Sequence, residues 1–266
     1  MFIVGERVNT SRKQIDEAVA NRDAAYIQSD VKAQVEAGAD VIDVNAGSRR
    51  ASEIGDLLWL IDVIEDAVPH VRVCLDSSNP DSLKAVLGRP TQRPMLNSTT
   101  AEKIRFESMV QVIETRECDV VALCIDDRGI PKSVDQALEN AVRLVYDLEA
   151  LGVNRDRIYL DPVIQTTSTN GMAGLMALET IERIHHELTG INTICGLSNI
   201  SFGLPKRPLL NRAFLTLAVR AGLTAAIIDP LDKRLMGGLM ATEVLLGRDE
   251  WCRAYLTAFR QGRLEG

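Results

Sequence analysis

The run VRVCLD (71–76) is a short, almost wholly apolar segment that ends on a carboxylate, Asp76. Apolar residues at consecutive rather than alternating positions are typical of a strand in a parallel sheet that is covered on both faces. Seven further runs end on or near a polar residue in the same way: MFIVGE (1–6), DVIDVN (40–45), PMLN (94–97), VVALCID (120–126), RIYLD (157–161), TICGLSN (193–199) and LTAAIID (223–229). The chain is therefore predicted to contain about eight buried parallel strands.

An amphipathic, helix-like stretch follows nearly every one of these runs. The stretch 24–37 has apolar residues at helical spacing and stops at Gly38, and the stretch 133–151 begins at Ser133, a favourable N-cap residue. The remaining predicted helices cover 53–68, 175–188, 207–221, 234–246 and 249–261. This alternation of strand and helix predicts an α/β fold.

Two architectures are compatible with repeated strand–helix units, an open doubly wound sheet and a closed barrel. An open sheet would usually carry a glycine-rich phosphate turn after its first strand, but here the first strand is followed by ERVNT (6–10). The chain has 266 residues, and a barrel typically needs about 250. We predict a (β/α)8 TIM barrel that forms a single domain over residues 1–266.

Composition and charge exclude several classes of protein. The net charge of −7 and the acidic pI of about 5.1 argue against nucleic acid as a main partner. No stretch is long and apolar enough to span a membrane, and the N-terminus enters a strand directly, without a signal peptide. The five cysteines form no CxxC pair. These features predict a cytoplasmic protein.

Histidine, the usual catalytic base and metal ligand, is scarce in this chain. His70 precedes a predicted strand, whereas His185 and His186 are adjacent on a predicted helix and so cannot share one of its faces. There is no HExxH motif, no facial-triad spacing and no GxSxG elbow. We predict no protein-bound metal, and hydrolytic chemistry is disfavoured.

Polar side chains at the strand ends are the strongest indication of function. A barrel gathers the carboxyl ends of its strands at one mouth, which would bring together Asp43, Asn45, Asp76, Asn97, Asp161, Ser198 and Asn199. Any one of them could instead cap the following helix or turn. Asp126 and Asp229 are interpreted as loop and turn residues. The remaining carboxylates and amides suit a flat heterocycle with donors and acceptors along its edge, such as a pterin.

Longer motifs connect these positions to a known family. The sequence resembles the methyltetrahydrofolate:corrinoid methyltransferases, which are pterin-binding TIM barrels. The resemblance runs nearly end to end and is carried by GERVN (5–9), DVNAG (43–47), CLDSSN (74–79), MLNSTTAE (95–102), GIPKS (129–133), LDPVI (160–164) and GLSNISFGLPKRPLLNRAFL (196–215).

The resemblance implies roles for individual residues. The pterin-binding carboxylates and amide of the family fall on Asp76, Asn97 and Asp161, and the active-site asparagine near pterin N5 falls on Asn199. A matching arginine falls on Arg207. Other predicted pterin-site residues are Asp43, Asn45, Gly196 and Ser198. The family also implies a homodimer.

The resemblance further implies a methyltransferase that moves a methyl group between N5 of tetrahydrofolate and the cobalt of a corrinoid, as in O-demethylation or acetyl-CoA synthesis. None of the three histidines fits the DxHxxG loop that binds cobalamin, so the corrinoid is expected on a separate partner protein. The alternative is a barrel like dihydropteroate synthase with a different reaction, or one that only binds a pterin. The opening NxTPDSF and the basic GxSRK segment of that synthase are both absent.

Overall fold

A computed structural model describes residues 1–264 of the chain. Eight parallel strands lie in the order β7-β6-β5-β4-β3-β2-β1-β8. They are β1 (Phe2–Asn9), β2 (Val41–Asn45), β3 (Arg72–Asp76), β4 (Met95–Thr100), β5 (Asp119–Leu123), β6 (Ile158–Asp161), β7 (Asn192–Thr193) and β8 (Ala225–Ile228).

The two ends of this sheet meet and close it into a barrel. Gly196 forms a parallel bridge with Ile227, whose N–H donates to the carbonyl of Cys195 at 2.9 Å. Beside it, the hydroxyl of Thr224 accepts from the N–H of Thr193 and donates to its carbonyl. The (β/α)8 prediction is confirmed. The prediction of one domain over 1–266 extends to residues 265 and 266, which lie outside the described part.

Ten α-helices lie within residues 1–264 and surround the barrel. They are α1 (Lys13–Ala20), α2 (Ala24–Ala37), α3 (Glu53–Ala67), α4 (Pro80–Val86), α5 (Lys103–Ile113), α6 (Val134–Ala150), α7 (Ala173–Glu187), α8 (Arg207–Ala221), α9 (Lys233–Leu245) and α10 (Arg253–Arg260). Gly38 ends α2, as predicted, and Gly222 ends α8; their φ values of 111° and 112° are ones that glycine adopts readily. Ser133 caps α6 by accepting from the N–H of Gln136. No helix among the described residues combines the length and apolar character needed to cross a membrane.

The barrel interior is filled with side chains. Each strand, or for β7 the residue just after it, contributes one member to a buried cluster: Val4, Val41, Cys74, Met95, Val121, Tyr159, Ile194 and Ala225. A larger apolar layer lies between strands and helices. Because these side chains fill the interior, a ligand can approach the strands only at their carboxyl ends, above the buried cluster.

Four strands differ from the prediction, among them β5, which ends at Leu123 rather than at Asp126. β1 continues past Glu6 to Asn9 and β4 continues past Asn97 to Thr100, each through a shift in its pairing register. Such irregularities re-aim side chains at the rim of a barrel. Of the run TICGLSN (193–199) only Thr193 belongs to a strand, the two-residue β7, and the polar end of the run lies in a 3₁₀ helix, Leu197–Ser201.

Candidate functional site at the barrel mouth

Three neighbouring strands bring polar side chains to one level of the mouth. Asn45 pairs with Asp76 across β2 and β3, and Asp76 pairs with Asn97 across β3 and β4. The amide nitrogen of Asn45 donates to Asp76 Oδ2 at 2.7 Å, while its oxygen accepts from the N–H of Gly47 at 2.9 Å. A Cβ at Gly47 would lie 3.2 Å from that oxygen. Asn45 is therefore fixed in the orientation that holds Asp76.

Asp161 ends β6 and is the most isolated acid of the site. Its Oδ1 accepts from the N–H of Val163 at 2.7 Å. Val163 has a φ of 64°, an outlier for a β-branched residue, and such outliers cluster at functional sites. Only 7% of Asp161 is exposed, and burial raises its pKa to about 7, although the N–H of Val163 opposes this shift. Asp161 is thus a buried acceptor that changes charge near neutral pH. We name Asn45, Asp76, Asn97 and Asp161 the strand-end wall.

Asp43 lies deeper than the other predicted pterin-site residues. It pairs with Cys74 of the filled interior, and its Oδ1 has no hydrogen-bond partner among the described residues. Burial and the neighbouring Asp76 raise the pKa of Asp43 well above its usual range. The pKa of Asp76 is also raised, first by burial and then by the charge of Glu53, whereas the hydrogen bond from Asn45 lowers it. The floor of the mouth therefore carries two interacting acids.

A cavity of about 340 Å³ opens beside this wall, within the range of small-molecule sites. It is lined by Asp76, Ser77, Ser78, Ser98, Thr100, Glu102, Arg105 and Leu123. Its lining is mostly polar and includes one apolar side chain, Leu123, which suits a flat ring with polar edges.

Asn199 lies in the 3₁₀ helix between β7 and α8, across the barrel from Asp76 of β3 and next to β6, which carries Asp161. Its side chain is exposed and folds back towards Gly196, where an added Cβ would lie 3.3 Å from the amide nitrogen. Arg207 holds this segment: its Nη2 donates to the carbonyl of Ser198 at 2.7 Å and its Nε to the hydroxyl of Ser201 at 3.1 Å. We name Leu197–Ser201 together with Arg207 the loop side of the mouth.

Sequence reasoning missed Glu6 as a site residue, since the strand was expected to stop there. Glu6 lines a small cleft together with Ser198 and Asp229. Burial, followed by the charge of Asp229, raises the pKa of Glu6 to about 7, while Arg12 and Arg207 lower it. Glu6 ends an apolar run and lies in the motif GERVN (5–9) beside Arg7, and this position could have identified it as a site residue.

Asp229 makes contacts beyond those of the predicted turn. Its Oδ1 accepts from the N–H of Leu231 at 3.0 Å, which confirms the turn. Its Oδ2 also accepts from Arg7 at 2.8 Å and from Arg12 at 3.2 Å, so Asp229 joins β8 to β1 at the mouth. Asp126 accepts from the N–H and the guanidinium of Arg128 and is a loop residue, as predicted.

Arg49 follows the end of β2, and its charge is paired with two carboxylates, those of Asp56 at 2.8 Å and Asp16 at 3.1 Å. Within residues 1–264 no group of three or more metal-ligating side chains comes together.

Fold and site together define a (β/α)8 barrel with a polar mouth suited to a pterin. The model of the family of pterin-binding enzymes matches residues 5–229, and the chain belongs to this family. It is 35% identical over 266 residues to a methylcorrinoid:tetrahydrofolate methyltransferase from Eubacterium limosum, covering 99% of this chain and 98% of that protein. The predicted family resemblance is thereby confirmed.

Two further relatives widen the comparison. A methionine synthase from Mycobacterium leprae is 28% identical over 241 residues, and the match covers 86% of this chain but 20% of that longer protein. A dihydropteroate synthase from Xanthomonas albilineans, solved with 7,8-dihydropteroate, superimposes with a TM-score of 0.69 at 17% identity, with 94% of each chain covered. The second likeness shows the shared fold.

Proposed function

We propose that this protein is a methyltransferase that moves a methyl group between the cobalt of a corrinoid, carried by a separate protein, and N5 of tetrahydrofolate. The observation that carries the proposal is the full-length relationship to a methylcorrinoid:tetrahydrofolate methyltransferase, in a chain whose strand-end wall and loop side face one mouth.

The strand-end wall is assigned to binding. The carboxylates of Asp76 and Asp161 would accept from the amino and ring N–H groups of the pterin, and the Asn97 amide can both donate and accept. A ligand that lacks this pattern would leave buried polar groups unpaired, which disfavours its binding.

The loop side is assigned to the transfer itself. N5 of tetrahydrofolate attacks the methyl carbon, the carbon–cobalt bond breaks with both electrons left on cobalt, and the N5 proton is released. In the reverse direction N5 is the leaving group and must gain a proton or a strong hydrogen bond. Asn199 is the proposed donor to N5, directly or through water. Most of the rate is expected from orientation, since the bound pterin is held rigidly below the incoming corrinoid.

The corrinoid is proposed to arrive with its own protein because no histidine lies at the mouth. His70 precedes β3, at the amino end of the barrel, and His185 and His186 lie in the last turn of α7. Docking over the mouth would bring cobalt above the pterin held by the wall.

The rival functions make different predictions in one experiment. Anaerobic methylcobalamin is mixed with tetrahydrofolate, with and without the protein, and the cobalt absorbance is followed. We expect protein-dependent loss of methylcobalamin and formation of 5-methyltetrahydrofolate. A barrel that only binds pterin, or that runs a dihydropteroate synthase reaction, would bind folate or pterin without any such conversion, even when a corrinoid protein is supplied.

The assembly and location belong to the same proposal. Leu210 and Leu217 lie two turns apart on α8 and are exposed, as is Leu175 on the adjacent α7. This apolar face is proposed to pair with a second copy, which light scattering of the purified protein would detect as a doubled mass. The five described cysteines are free, four of them buried, which suits the reducing cytoplasm.

A further inference from the structure

The segment that follows Asp76 is held by side chains from two helices. Ser77, the next residue, donates its hydroxyl to Glu53 Oε1 at 2.7 Å and its N–H to the carbonyl of Asn97 at 3.1 Å. On the other side, Arg105 of α5 donates to three carbonyls, those of Ser77, Ser78 and Ser98. The main chain next to Asp76 is thus hydrogen-bonded to side chains of both α3 and α5.

Glu53 is an unusual residue for this task. It is only 6% exposed, and its carboxylate makes no ion pair within residues 1–264. Its two oxygens accept instead from two hydroxyls, those of Ser77 and Ser82, each at 2.7 Å. A buried carboxylate without a cation is costly unless hydrogen bonds and favourable dipoles compensate for it. Glu53 is the first residue of α3, where the helix dipole favours negative charge.

We propose that Glu53 is a positioning residue for the pterin site: it holds the Ser77 hydroxyl, and with it the chain that carries Asp76. The charge of Glu53, which lies one hydrogen bond from Ser77, also raises the pKa of Asp76. The effect on ligand binding rests on the proposed function, whereas the effect on Asp76 itself does not.

The surroundings of Asp76 make Glu53 the group to test. The charged or titratable groups near Asp76 or its cavity are Asp43 of β2, Cys74 of β3, Glu53 of α3, and Glu102 and Arg105 at the start of α5. Burial is the main cause that raises the pKa of Asp76, and the hydrogen bond from Asn45 opposes it. The charge of Glu53 adds to the rise. Removing that charge therefore lowers the pKa of Asp76, so that the carboxylate persists to lower pH and becomes a weaker acceptor.

The test compares Glu53→Gln, which keeps the shape of the side chain and removes its charge, with Glu107→Gln on the exposed face of α5. The carboxyl carbon of Asp76 is followed by ¹³C NMR from pH 3 to 9 without folate, and its signal is assigned with Asp76→Asn. We expect the titration midpoint to move to lower pH in Glu53→Gln and to stay in place in Glu107→Gln. An unchanged midpoint in a folded Glu53→Gln protein overturns the electrostatic part of the proposal.

Ser77→Ala separates positioning from charge and also serves if Glu53→Gln does not fold. It removes the link from Glu53 to the chain but keeps the charge, so the Asp76 midpoint should stay in its wild-type position. Affinity for tetrahydrofolate, measured by calorimetry, should fall roughly fivefold, as expected for one lost hydrogen bond. Unchanged affinity, in a protein whose wild type binds tetrahydrofolate, overturns the positioning part. A wild type that does not bind tetrahydrofolate would contradict the proposed function and leave the NMR result standing.

Discussion

The two sides of the barrel mouth are built in different ways. The strand-end wall consists of side chains on the strands themselves, with Asp76 oriented by Asn45 and Asp161 buried against the chain of Val163. The loop side consists of a 3₁₀ helix with an exposed amide, Asn199, and accepts a hydrogen bond from Arg207. A rigid wall suits recognition, and an exposed amide in a separate segment suits contact with a reacting atom. We therefore propose that affinity depends on the strand-end wall and reactivity on the loop side.

The largest effect is expected from Asn199→Ala. The rate of methyl transfer should fall by about 10²–10³, the usual cost of losing a hydrogen-bond donor to a developing charge. Affinity for tetrahydrofolate should change less than about threefold, because the wall is intact. Single-turnover kinetics and calorimetry measure the two quantities. Asn21→Ala, at the end of α1, is the matched control. A loss of affinity without a loss of rate would move Asn199 to the binding wall.

Asp161→Asn should have the opposite signature. It replaces an acceptor by a donor that faces the pterin N–H groups, so affinity should fall roughly 10- to 100-fold, as for a hydrogen bond to a charged group. The rate at saturating folate should change little. Asp156→Asn, in the turn at the amino end of β6, controls for the loss of charge. Wild-type affinity in Asp161→Asn would make Asp161 a helix- or turn-capping residue.

Binding should also weaken in acid. In the proposed function the carboxylate form of Asp161 accepts from the pterin, and the pKa of Asp161 is raised to about 7 by burial. Below that pH the protonated form dominates, so affinity should fall by up to about tenfold per pH unit between pH 7 and 6. Calorimetry across this range measures the slope, which Asp161→Asn should reduce. Glu6→Gln should keep the slope, because Glu6, with a pKa also raised to about 7 by burial, lies towards the loop side.

The smallest effect is expected from Arg207→Met. This change removes the hydrogen bonds to Ser198 and Ser201, which hold Asn199 in place. The rate should fall about fivefold with unchanged folate affinity, and Arg207→Lys should restore part of it by donating to the Ser198 carbonyl. Equal rates in wild type and Arg207→Met would show that the 3₁₀ helix holds its position without this arginine.

The strand-end wall was largely predictable from the sequence, for a simple reason. Parallel strands end at one edge, so a carboxylate or amide at the end of an apolar run is carried to the mouth whatever its neighbours are. Asn45, Asp76 and Asp161 each end a strand as predicted, and the caps at Gly38, Ser133 and Gly222 follow from local chemistry. The roles assigned to these residues in binding remain predictions.

The loop side and the supporting residues were less accessible. β1 continues past Glu6 through a register shift, and the pattern of apolar residues in the sequence does not indicate such a shift. The contact of Arg7 with Asp229 joins residues 222 positions apart and arises only when the barrel closes. Glu53 reaches the mouth from the first turn of a helix, where a polar residue in a sequence is usually interpreted as a solvent-exposed or helix-capping residue. Long-range geometry, rather than local pattern, places these side chains.

The separation of affinity from reactivity is tested most directly by a double-mutant cycle of Asn199→Ala and Asp161→Asn. Folate affinity and the single-turnover rate at saturating folate are measured for wild type, both single variants and the double variant. We expect the double variant to have the affinity of Asp161→Asn and the rate of Asn199→Ala, since the two changes act on different quantities and add. A double variant whose rate at saturation falls well below that of Asn199→Ala, or a single variant that loses both quantities equally, would contradict it.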